Sequence, residues 1–490
     1  MNLLLIWPAV PDTFWSFTHV LPLIAKKAAF PPLGLLTVAA MLPREWSLRV
    51  VDLNVRALRD QDLEWADYVL MSAMIVQEKS VREVARRCRE RGKLVIAGGP
   101  LFTTGHERFP EIPHFVLGEA EGVMPDLVRD LTAGTLQPVY QAASRPDLSA
   151  TPPPRWDLIR LDDYVTMAVQ FSRGCPFNCE FCDIIAMYGR VPRTKSPAQL
   201  LTELDGLYAA GWRDSVFVVD DNFIGHKVKA KALLRELVAW QQRQPAPLPL
   251  FTEASLNLAD DPELLDLMVQ AGFKKVFVGI ETPNEDSLSE CGKVQNARRD
   301  LLQAVRTLQS AGLEVMGGFI LGFDHDRPNI FRRQWRFIQE AGIANAMVGL
   351  LNALPGTRLF ARLQQEGRLL RESTGNNLDA VLNFIPRMDR ETLLNGYRRL
   401  LRRLYAPSAY YRRALEFLKW YRPRPPYIPP RRTDLWAFVR SLWVLGICTP
   451  GRRAYWKYLV QSLLLYPRAF SEAMNLAIRG YHFRAVAAQI

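Results

Sequence analysis

Apolar runs alternate with segments of helical periodicity over the first 150 residues of the chain. The apolar runs predict strands at residues 3–7, 48–52, 68–73, 94–97 and 115–117. Apolar positions with helical spacing lie between them, as at residues 34–42 and 80–91. Strands that alternate with helices pack as parallel sheets covered on both faces. We therefore predict an α/β domain with a doubly wound, Rossmann-like sheet at residues 1–150.

A second set of strand–helix units follows a proline-rich segment. Three consecutive prolines stiffen residues 151–155 and mark a domain boundary. Six apolar runs come after it, at residues 166–171, 215–219, 250–254, 275–280, 314–320 and 346–351. The pairs Ser196-Pro197 and Asp261-Pro262 each combine a helix N-cap with a proline at the first helical position. The pattern predicts a second α/β domain of six βα units over residues 151–372.

The remaining residues, 373–490, have mainly helical patterns and carry the basic character of the chain. Residues 381–490 contain 20 Lys or Arg and 5 Asp or Glu, so they account for more than the whole formal net charge of +12. Residues 435–449 are apolar, with Trp436 and Trp443, but they include Arg440 and are too short to span a bilayer. Three interpretations stay open: a helix lying in a membrane interface, a nucleic-acid surface, and ordinary helix packing with solvated arginines.

Composition narrows the class of protein. With 490 residues, of which 49% are hydrophobic and 23% charged, the chain is globular and long enough for about two to four domains. The apolar run at residues 3–7 is too short for the core of a signal peptide, and no run reaches the length of a transmembrane helix. Six cysteines, three of them clustered, indicate metal chemistry in a reducing compartment. We therefore predict a cytoplasmic protein.

The clustered cysteines, Cys175, Cys179 and Cys182, have the spacing C-x3-C-x2-C. Pro176 and Asn178 disfavour a regular helix there, so a loop can bring the three sulfurs to one centre. Thiolates select zinc or an iron–sulfur cluster, and a fully ligated centre of either kind usually has four protein ligands. No fourth cysteine or histidine lies close by in the sequence. The spacing predicts a metal centre with one open coordination position, and a zinc knuckle or three buried free cysteines is the alternative.

With Phe181 just before the third cysteine, this motif resembles that of the radical S-adenosylmethionine (SAM) superfamily. The resemblance implies that Cys175, Cys179 and Cys182 hold a [4Fe-4S] cluster whose fourth iron binds the amino and carboxylate groups of SAM. It also implies that an electron donor such as flavodoxin or ferredoxin reduces the cluster, and that SAM is cleaved to a 5′-deoxyadenosyl radical. The six βα units resemble the partial, TIM-like (βα)6 barrel of the same superfamily. Cys291 lies apart from the motif, either as a loop thiol or near substrate.

The strand ends of that barrel supply the SAM contacts that the resemblance implies. The predicted contacts are Phe181, Asp220, Asp221, Glu253, Glu281, Gly318, Ile320 and Gly322. Asp220 and Asp221 stand where the superfamily often has Gly-Gly-Glu, and either carboxylate can receive the amino group of SAM. Residues 318–322 match most of a G-x-I-x-G adenine-binding strand, although Asp324 and Asp326 only flank the place of the expected acidic residue. For each lone carboxylate, a helix cap or loop residue is the alternative.

Turns in the first domain resemble those of the cobalamin-binding domain that precedes the barrel in one large subclass. The implied cobalamin contacts are Pro32, Gly34, Met74, Ile75, Gly98, Gly99, Gly118 and Glu119. Strand-end turns need glycine in any case, so these glycines alone are weak signals. The Asp-x-His-x-x-Gly motif that supplies an axial histidine in other cobalamin proteins is absent. This absence predicts cobalt without a histidine ligand, with its lower face against residues 74–77.

Together, the three parts resemble cobalamin-dependent radical SAM enzymes with an appended C-terminal domain, the group that includes the hopanoid C-2 methylases. The Phe-Trp-Ser-Phe sequence at residues 14–17 and residues 26–32 add to the likeness. The resemblance implies an enzyme that methylates an unactivated carbon with a [4Fe-4S] cluster, SAM and cobalamin as cofactors. It further implies a hopanoid-like lipid substrate, peripheral contact with the inner face of the membrane, and no nucleic-acid partner.

Two other functions stay open at this point. One is an enzyme of the same build that forms a carbon–carbon bond or rearranges a ring without methylating. The other is a redox or cobalamin-sensing protein without catalytic activity, which the open iron position argues against.

Overall fold

Two six-stranded sheets organise the computed structural model, which describes residues 1–376, 378–427 and 431–490. The strands of the first sheet are β1 (Asn2–Trp7), β2 (Ser47–Asp52), β3 (Tyr68–Ser72), β4 (Leu94–Gly98), β5 (His114–Leu117) and β6 (Val139–Gln141). All neighbours pair in parallel in the order β2-β1-β3-β4-β5-β6. The sixth strand was not predicted, because it has three residues of which only Tyr140 is buried.

Five helices connect these strands and cover both faces of the sheet. They are α1 (Leu33–Ala40), α2 (Asp60–Trp65), α3 (Glu78–Glu90), α4 (Pro100–Thr103) and α5 (Met124–Ala133). Alternate residues of β1 point to opposite faces, so Leu4 and Ile6 enter one apolar cluster while Leu3 and Leu5 enter the other. The doubly wound first domain is thus confirmed.

The second sheet is an open, partial barrel. The strands that follow the first domain are β7 (Met167–Val169), β8 (Ser172–Arg173), β9 (Arg193–Thr194), β10 (Val216–Val218), β11 (Leu250–Glu253), β12 (Phe273–Glu281), β13 (Glu314–Leu321) and β14 (Ala346–Leu350). The barrel strands pair in parallel in the order β7-β10-β11-β12-β13-β14, with β7 and β14 as its edges. β8 and β9 form a separate antiparallel pair.

In the described chain, eight helices lie between and after the strands of the barrel, and two of them begin at the predicted N-caps. They are α6 (Ile184–Tyr188), α7 (Pro197–Ala209), α8 (Lys227–Arg243), α9 (Pro262–Gln270), α10 (Glu285–Glu290), α11 (Leu301–Ser310), α12 (Ile330–Glu340) and α13 (Arg358–Gln365). The Ser196 hydroxyl accepts a hydrogen bond from the Gln199 amide at 3.2 Å, and the Asp261 carboxylate accepts one from the Leu264 amide at 3.1 Å. Both predicted N-caps are confirmed, and so is the partial barrel.

The C-terminal part is helical, as predicted, and shares one apolar core with the barrel. Its helices are α14 (Arg390–Tyr405), α15 (Pro407–Trp420), α16 (Arg432–Trp443), α17 (Arg452–Leu465) and α18 (Phe470–Gln489). Arg479 of α18 holds the buried Glu314 at the start of β13, with nitrogen–oxygen distances of 2.6 and 2.9 Å. Among the described helices, none combines the length and the hydropathy needed to cross a membrane. The domain boundaries at residues 150 and 372 stay predictions.

A long loop of the first domain, residues 8–32, connects the two edges of the partial barrel. At one end, the Ala29 carbonyl accepts a hydrogen bond at 3.2 Å from the amide of Thr166, just before β7. At the other end, the Phe14 ring lies 6.3 Å from the ring of Tyr405, whose hydroxyl donates to the Ala346 carbonyl of β14 at 2.5 Å. The N-terminal loop and the C-terminal helices therefore span the open side of the barrel together.

Candidate active site

The three predicted cysteine ligands lie on the loop between β8 and β9, at the carboxyl end of β7. Gly174 opens this loop with a φ of +94°, and a Cβ there would lie 2.8 Å from the Gly189 carbonyl oxygen. Only glycine adopts this conformation without strain. The Cys175 amide donates to the same carbonyl at 3.2 Å. The loop thus closes on itself, and the three cysteines lie within the closed part.

Amide side chains from two other barrel loops reach the sulfurs. Asn222, after β10, places Nδ2 3.8 Å from Cys175 Sγ, and Gln295, after α10, places Nε2 3.8 Å from Cys179 Sγ. The Gln295 Oε1 atom is buried without a hydrogen-bond partner. Among the described residues, no three His, Cys, Asp or Glu side chains close around a single ion. A four-iron cluster does not need that arrangement, because each cysteine binds a different iron, and hydrogen bonds to its sulfurs tune it.

Burial and one nearby cation set the electrostatics of the cysteine loop. Burial raises the pKa of the Cys179 and Cys182 thiols, so the neutral form is favoured in the protein alone. The Lys293 ammonium is the nearby cation that opposes this effect, and its Nζ also pairs with Glu281 Oε1 at 2.7 Å. Thiolates are the metal ligands, so bound iron would complete the charge balance at this loop. The donor set therefore fits an iron–sulfur cluster.

Loops from the far side of the barrel hold the middle of the cysteine loop. The Glu180 amide donates to the Cys291 carbonyl at 2.8 Å, and the Glu180 carboxylate pairs with Arg362 of α13 at 2.6 Å. Arg358 of the same helix donates to the Asn178 carbonyl at 2.5 Å. The buried Cys291 thiol donates weakly to the Leu288 carbonyl at 3.5 Å. Cys291 thus contributes its main chain and packing to the site, and the choice between a loop thiol and a role near substrate stays open.

Two carboxyl groups at neighbouring strand ends lie near the cysteine loop. Asp221, after β10, accepts a hydrogen bond from the Gly174 amide at 3.2 Å, and burial raises its pKa to about 7. Glu253 ends β11, and burial followed by the nearby Asp221 charge raises its pKa to about 8. In the described part of the chain, the Glu253 carboxyl has no hydrogen-bond partner. Asp221 and Glu253 stay predicted contacts of SAM.

Asp220 has a different role from the predicted SAM contact. One of its oxygens accepts from the Phe171 amide at 2.7 Å and the other from the Ser172 hydroxyl at 2.5 Å. Burial raises the pKa of this carboxyl to about 6 against these stabilising hydrogen bonds. Because both oxygens are engaged and buried, Asp220 ties β10 to the start of the cysteine loop. Of the two adjacent aspartates, Asp221 is the one that faces the site.

Glu281 and the glycine-rich end of β13 complete this edge of the barrel. Glu281 has a φ of +65°, which is rare for a residue with a side chain, and its carboxylate is held by Lys293. Gly322 has a φ of +103°, and its amide donates to Asp326 at 2.9 Å, so the acidic residue that flanks the motif caps this turn. Ile320 remains partly exposed on the strand between Gly318 and Gly322. The turn geometry explains both glycine and aspartate at these positions.

An aromatic chamber lies on the same face as Glu253, further from the strand ends. We define it by Trp15, Phe30, Phe217, Phe251 and Phe277. Phe251 precedes Glu253 by two residues, so its ring lies one step deeper, roughly 7 Å along the strand. Phe217 and Phe251 stack at 4.5 Å, and the Trp15 ring lies 6.2 Å from Phe217 and 5.2 Å from Phe277. All but Phe251 are only partly buried, so each of these four side chains keeps some accessible surface.

The aromatic chamber explains why residue 318 is glycine. A Cβ at residue 318 would lie 2.8 Å from the Phe277 ring, so glycine leaves room for the aromatic side chain. Sequence analysis did not identify Phe217, Phe251, Phe277, Lys293 or Gln295 as site residues. The only signal for the rings was their regular placement inside strands, which core packing also explains.

Predicted cobalamin contacts lie side by side at the carboxyl edge of the first sheet. Met74 and Ile75 follow β3, Gly99 follows β4 and Gly118 follows β5, and these three strands are neighbours. Gly99 has a φ of +92°, and a Cβ there would meet the Ser72 hydroxyl at 2.7 Å. Gly118 and Gly34 instead face open space, with no atom within 4 Å of the Cβ position. Gly34 and Gly118 therefore leave open space at the carboxyl edge of this sheet, where ligands of such sheets bind.

The remaining predicted cobalamin contacts at this edge differ in their exposure to solvent. Pro32 is the N-cap residue of α1, two positions before Gly34, and Gly98 is the last residue of β4. Met74 is 38% exposed, whereas Ile75 packs beneath the segment that contains Gly375. A Cβ on Gly375 would lie 2.9 Å from Ile75 Cγ2, so the chain after the barrel covers part of this loop.

Glu119 has a different role from the predicted cobalamin contact. Its carboxylate pairs with Arg173 at 2.6 Å and with Arg193 at 2.6 Å, and its side chain is almost fully buried. Arg173 also pairs with Glu121 at 2.7 Å. These four residues, Glu119, Glu121, Arg173 and Arg193, form what we call the interdomain clamp. It joins the loop after β5 to the two strands, β8 and β9, that flank the cysteine loop.

Family models match all three parts of the chain. Residues 24–128 match the B12 binding domain, residues 169–331 match the radical SAM superfamily, and residues 357–490 match a domain of unknown function (DUF4070). The fold and the cysteine loop therefore define a cobalamin-binding radical SAM enzyme. Its cofactors are a [4Fe-4S] cluster, SAM and cobalamin.

Curated relatives identify the family within this class. An uncharacterized methyltransferase of Synechocystis sp. is 44% identical over 99% of this chain and 91% of its own length. The hopanoid C-2 methylase of Rhodopseudomonas palustris is 37% identical over 94% of this chain and 89% of its own length. The chain belongs to the cobalamin-dependent radical SAM methyltransferases and is similar to the hopanoid C-2 methylase group.

Solved structures support the fold assignment. TsrM, a radical SAM methyltransferase from Kitasatospora setae with cobalamin and a [4Fe-4S] cluster bound, has a TM-score of 0.63 and 17% identity, covering 98% of this chain and 99% of its own. OxsB, a cobalamin-dependent SAM radical enzyme with aqua-cobalamin and SAM bound, has a TM-score of 0.64 and 14% identity, covering 100% of this chain and 80% of its own. The three-part architecture is therefore shared.

Proposed function

We propose that this methyltransferase acts on an unactivated carbon of a polycyclic, hopanoid-like lipid. The observation that carries the proposal is the aromatic chamber, whose partly exposed rings lie on the same strand face as Glu253. Flat, apolar ring systems pack well against aromatic faces. The 37% identity to a hopanoid C-2 methylase supports the same substrate class.

The chain's own residues would hold the cofactors as follows. Cys175, Cys179 and Cys182 would bind the cluster, while Asp221 and Glu253 would orient SAM beside it. Main chain at Gly99 and Gly118 accommodates cobalamin. When bound, these cofactors supply the electron, the hydrogen-abstracting radical and the methyl group. The chamber then holds the substrate carbon and excludes water, which a reactive radical requires.

A one-electron donor such as flavodoxin or ferredoxin would reduce the cluster. A cavity of about 500 Å³ opens next to the cysteine loop and is lined in part by Phe177, Val294, Arg298 and Arg299. Arg299 pairs with Asp260, which also lines the cavity, whereas the exposed Arg298 suits an acidic protein donor. We place the enzyme in the cytoplasm, at the inner face of the membrane, because a polycyclic hydrocarbon is nearly insoluble in water.

Product mass tests the proposed reaction. Reconstituted enzyme with SAM, a reductant and a detergent-dispersed polycyclic triterpenoid should give a product heavier by one CH₂ group. In the Phe217→Ala variant, we expect 5′-deoxyadenosine to form while methylated product falls, because the carbon is no longer held in place. Val228→Ala, at a residue that is 74% exposed, is the matched control. A product of unchanged mass with a rearranged skeleton would instead support the ring-rearrangement alternative, and absence of 5′-deoxyadenosine would reject a radical SAM reaction.

A further inference from the structure

Two neighbouring helices of the C-terminal part expose an unusual amount of apolar surface. Of the nineteen large apolar side chains that are exposed in the described chain, ten lie within residues 435–465. Trp436 is 67% exposed, Trp443 is 62% exposed and Leu464 is 73% exposed. Scattered single apolar residues are normal on a protein surface, but a contiguous group of this size marks an interaction site.

The exposed residues occupy one regular face of each helix. On α16 and the π-helical turn after it, they are Leu435, Trp436, Val439, Trp443 and Ile447, and on α17 they are Trp456, Val460, Leu463, Leu464 and Leu465. The opposite faces are already packed, since Leu445, Tyr455 and Tyr458 are fully buried. Tyr458 stacks on Tyr411 of α15 at 4.8 Å. The exposed faces are therefore a second apolar surface, beyond the one that folding uses.

The charges around this surface select its partner. Residues 435–471 contain five Lys or Arg and no Asp or Glu. Arg452, Arg453, Lys457 and Arg468 are exposed and take part in no ion pair within the described chain. Tryptophan and leucine bordered by unpaired cations are typical of helices that lie in the interface of an anionic membrane. Each cation near such a surface adds on the order of 1 kcal/mol to binding.

The same surface is connected to the aromatic chamber. Arg440 of α16 donates to the Pro22 and Leu23 carbonyls, at 3.1 and 3.2 Å. These carbonyls belong to the loop of residues 8–32, which carries Trp15 and Phe30 into the chamber. The helix α16 is therefore bonded directly to the loop that lines the chamber.

We infer that the exposed faces of α16 and α17 form a membrane-docking face for an anionic lipid bilayer, and that the loop of residues 8–32 passes the lipid substrate from it into the chamber. The second half of this inference rests on the proposed lipid substrate, whereas the docking half does not. A second copy of this chain is the competing occupant of the face.

Vesicle flotation tests the docking half with full-length protein. Wild-type protein should float with vesicles of phosphatidylcholine and phosphatidylglycerol, less so at high salt, and weakly with phosphatidylcholine alone. Replacing Trp436, Trp443 and Leu464 together by serine should lower the partition coefficient by roughly tenfold or more. The matched control replaces Val191 and Val228 by serine, since both are exposed apolar residues elsewhere, at 75% and 74%. Unchanged flotation of the triple variant would overturn the inference.

Two further measurements separate the remaining outcomes. A wild-type dimer in sedimentation that becomes monomeric in the triple variant, without flotation of either protein, would assign the face to self-association and reject docking. Unchanged cobalamin binding and melting temperature would show that the triple variant is folded. For the transfer step, the variant should methylate detergent-dispersed triterpenoid normally but vesicle-embedded triterpenoid poorly. If neither form is methylated by wild-type protein that still floats, the proposed substrate fails while the docking face stands.

Discussion

Glu119→Gln is the most informative single change, because the interdomain clamp links the cobalamin-binding domain to the cysteine loop. Breaking a buried ion pair costs about 3–5 kcal/mol when one partner is left alone. In the variant, Arg173 is still paired with Glu121, and Arg193 still donates to the Pro146 carbonyl at 2.7 Å. We therefore expect the substitution to destabilise the closed clamp by about 2–4 kcal/mol. The equilibrium constant for opening of the interdomain clamp should rise roughly 30- to 1,000-fold.

Hydrogen exchange measures this opening in the native protein. Peptides that cover residues 174–192 should exchange faster in the variant by that factor, while peptides from the core of the first sheet should not change. Glu107→Gln is the control, because that side chain is 75% exposed in the same domain. Cobalamin and iron contents should stay normal, but more 5′-deoxyadenosine should form per methyl group transferred. Wild-type exchange in residues 174–192 of Glu119→Gln would refute the clamp.

The pH dependence of the clamp follows from Glu121. Burial would raise the pKa of this carboxyl, but the hydrogen bond and charge of Arg173 outweigh burial and the pKa lies below its ordinary value. A lowered carboxyl pKa contributes stability above the ordinary pKa of glutamate, and this stability is lost as the pH falls through the folded-state pKa. The interdomain clamp should therefore weaken as the pH falls below the ordinary pKa of glutamate.

Three other predictions concern the cofactor sites. Cys179→Ala should lose the cluster and SAM cleavage, measured by iron content and 5′-deoxyadenosine, and a full, active cluster would contradict the ligand assignment. Electron paramagnetic resonance of the cob(II)alamin form should show no protein histidine nitrogen, and a clear histidine coupling would contradict the predicted absence of a histidine ligand. The pKa of Glu253 is about 8, so cofactor-free protein should lose stability as the pH rises from the ordinary glutamate pKa toward 8. The free energy of unfolding of the Glu253→Gln variant should therefore depend less on pH over this range. Identical pH profiles for the two proteins would reject this prediction.

Much of the fold was predictable because apolar runs and helix caps are local signals. The barrel strands and the caps at Ser196 and Asp261 needed only the residues around them. The short strand β6 was not predicted, because a single buried residue gives no alternating apolar pattern. The clamp escaped for another reason: Glu119 and Arg193 are 74 positions apart, and nothing in either neighbourhood specifies the other.

The candidate site shows the same division. The cysteine spacing is local, so Cys175, Cys179 and Cys182 could be placed on one loop from sequence. Asp220 and Asp221 are adjacent and each accepts a hydrogen bond from a main-chain amide, but only Asp220 has both oxygens engaged, and nothing in the local sequence specifies this difference. The aromatic chamber depends on three strands and a loop from another domain, so no single stretch of sequence contains it.

The two ends of the chain meet beside the barrel, and this has a consequence for how such enzymes diversify. His482 of α18 donates through Nε2 to the Thr13 carbonyl at 2.8 Å, across 469 positions of sequence, and Phe14 stacks on Phe483 at 5.4 Å. A recombinant that exchanges the last hundred or so residues between relatives would therefore pair one parent's N-terminal loop with the other's helix. We expect that a chimera is functional only when residues 8–32 and α18 come from the same parent. We also expect its substrate range to be that of the parent that supplies these two segments.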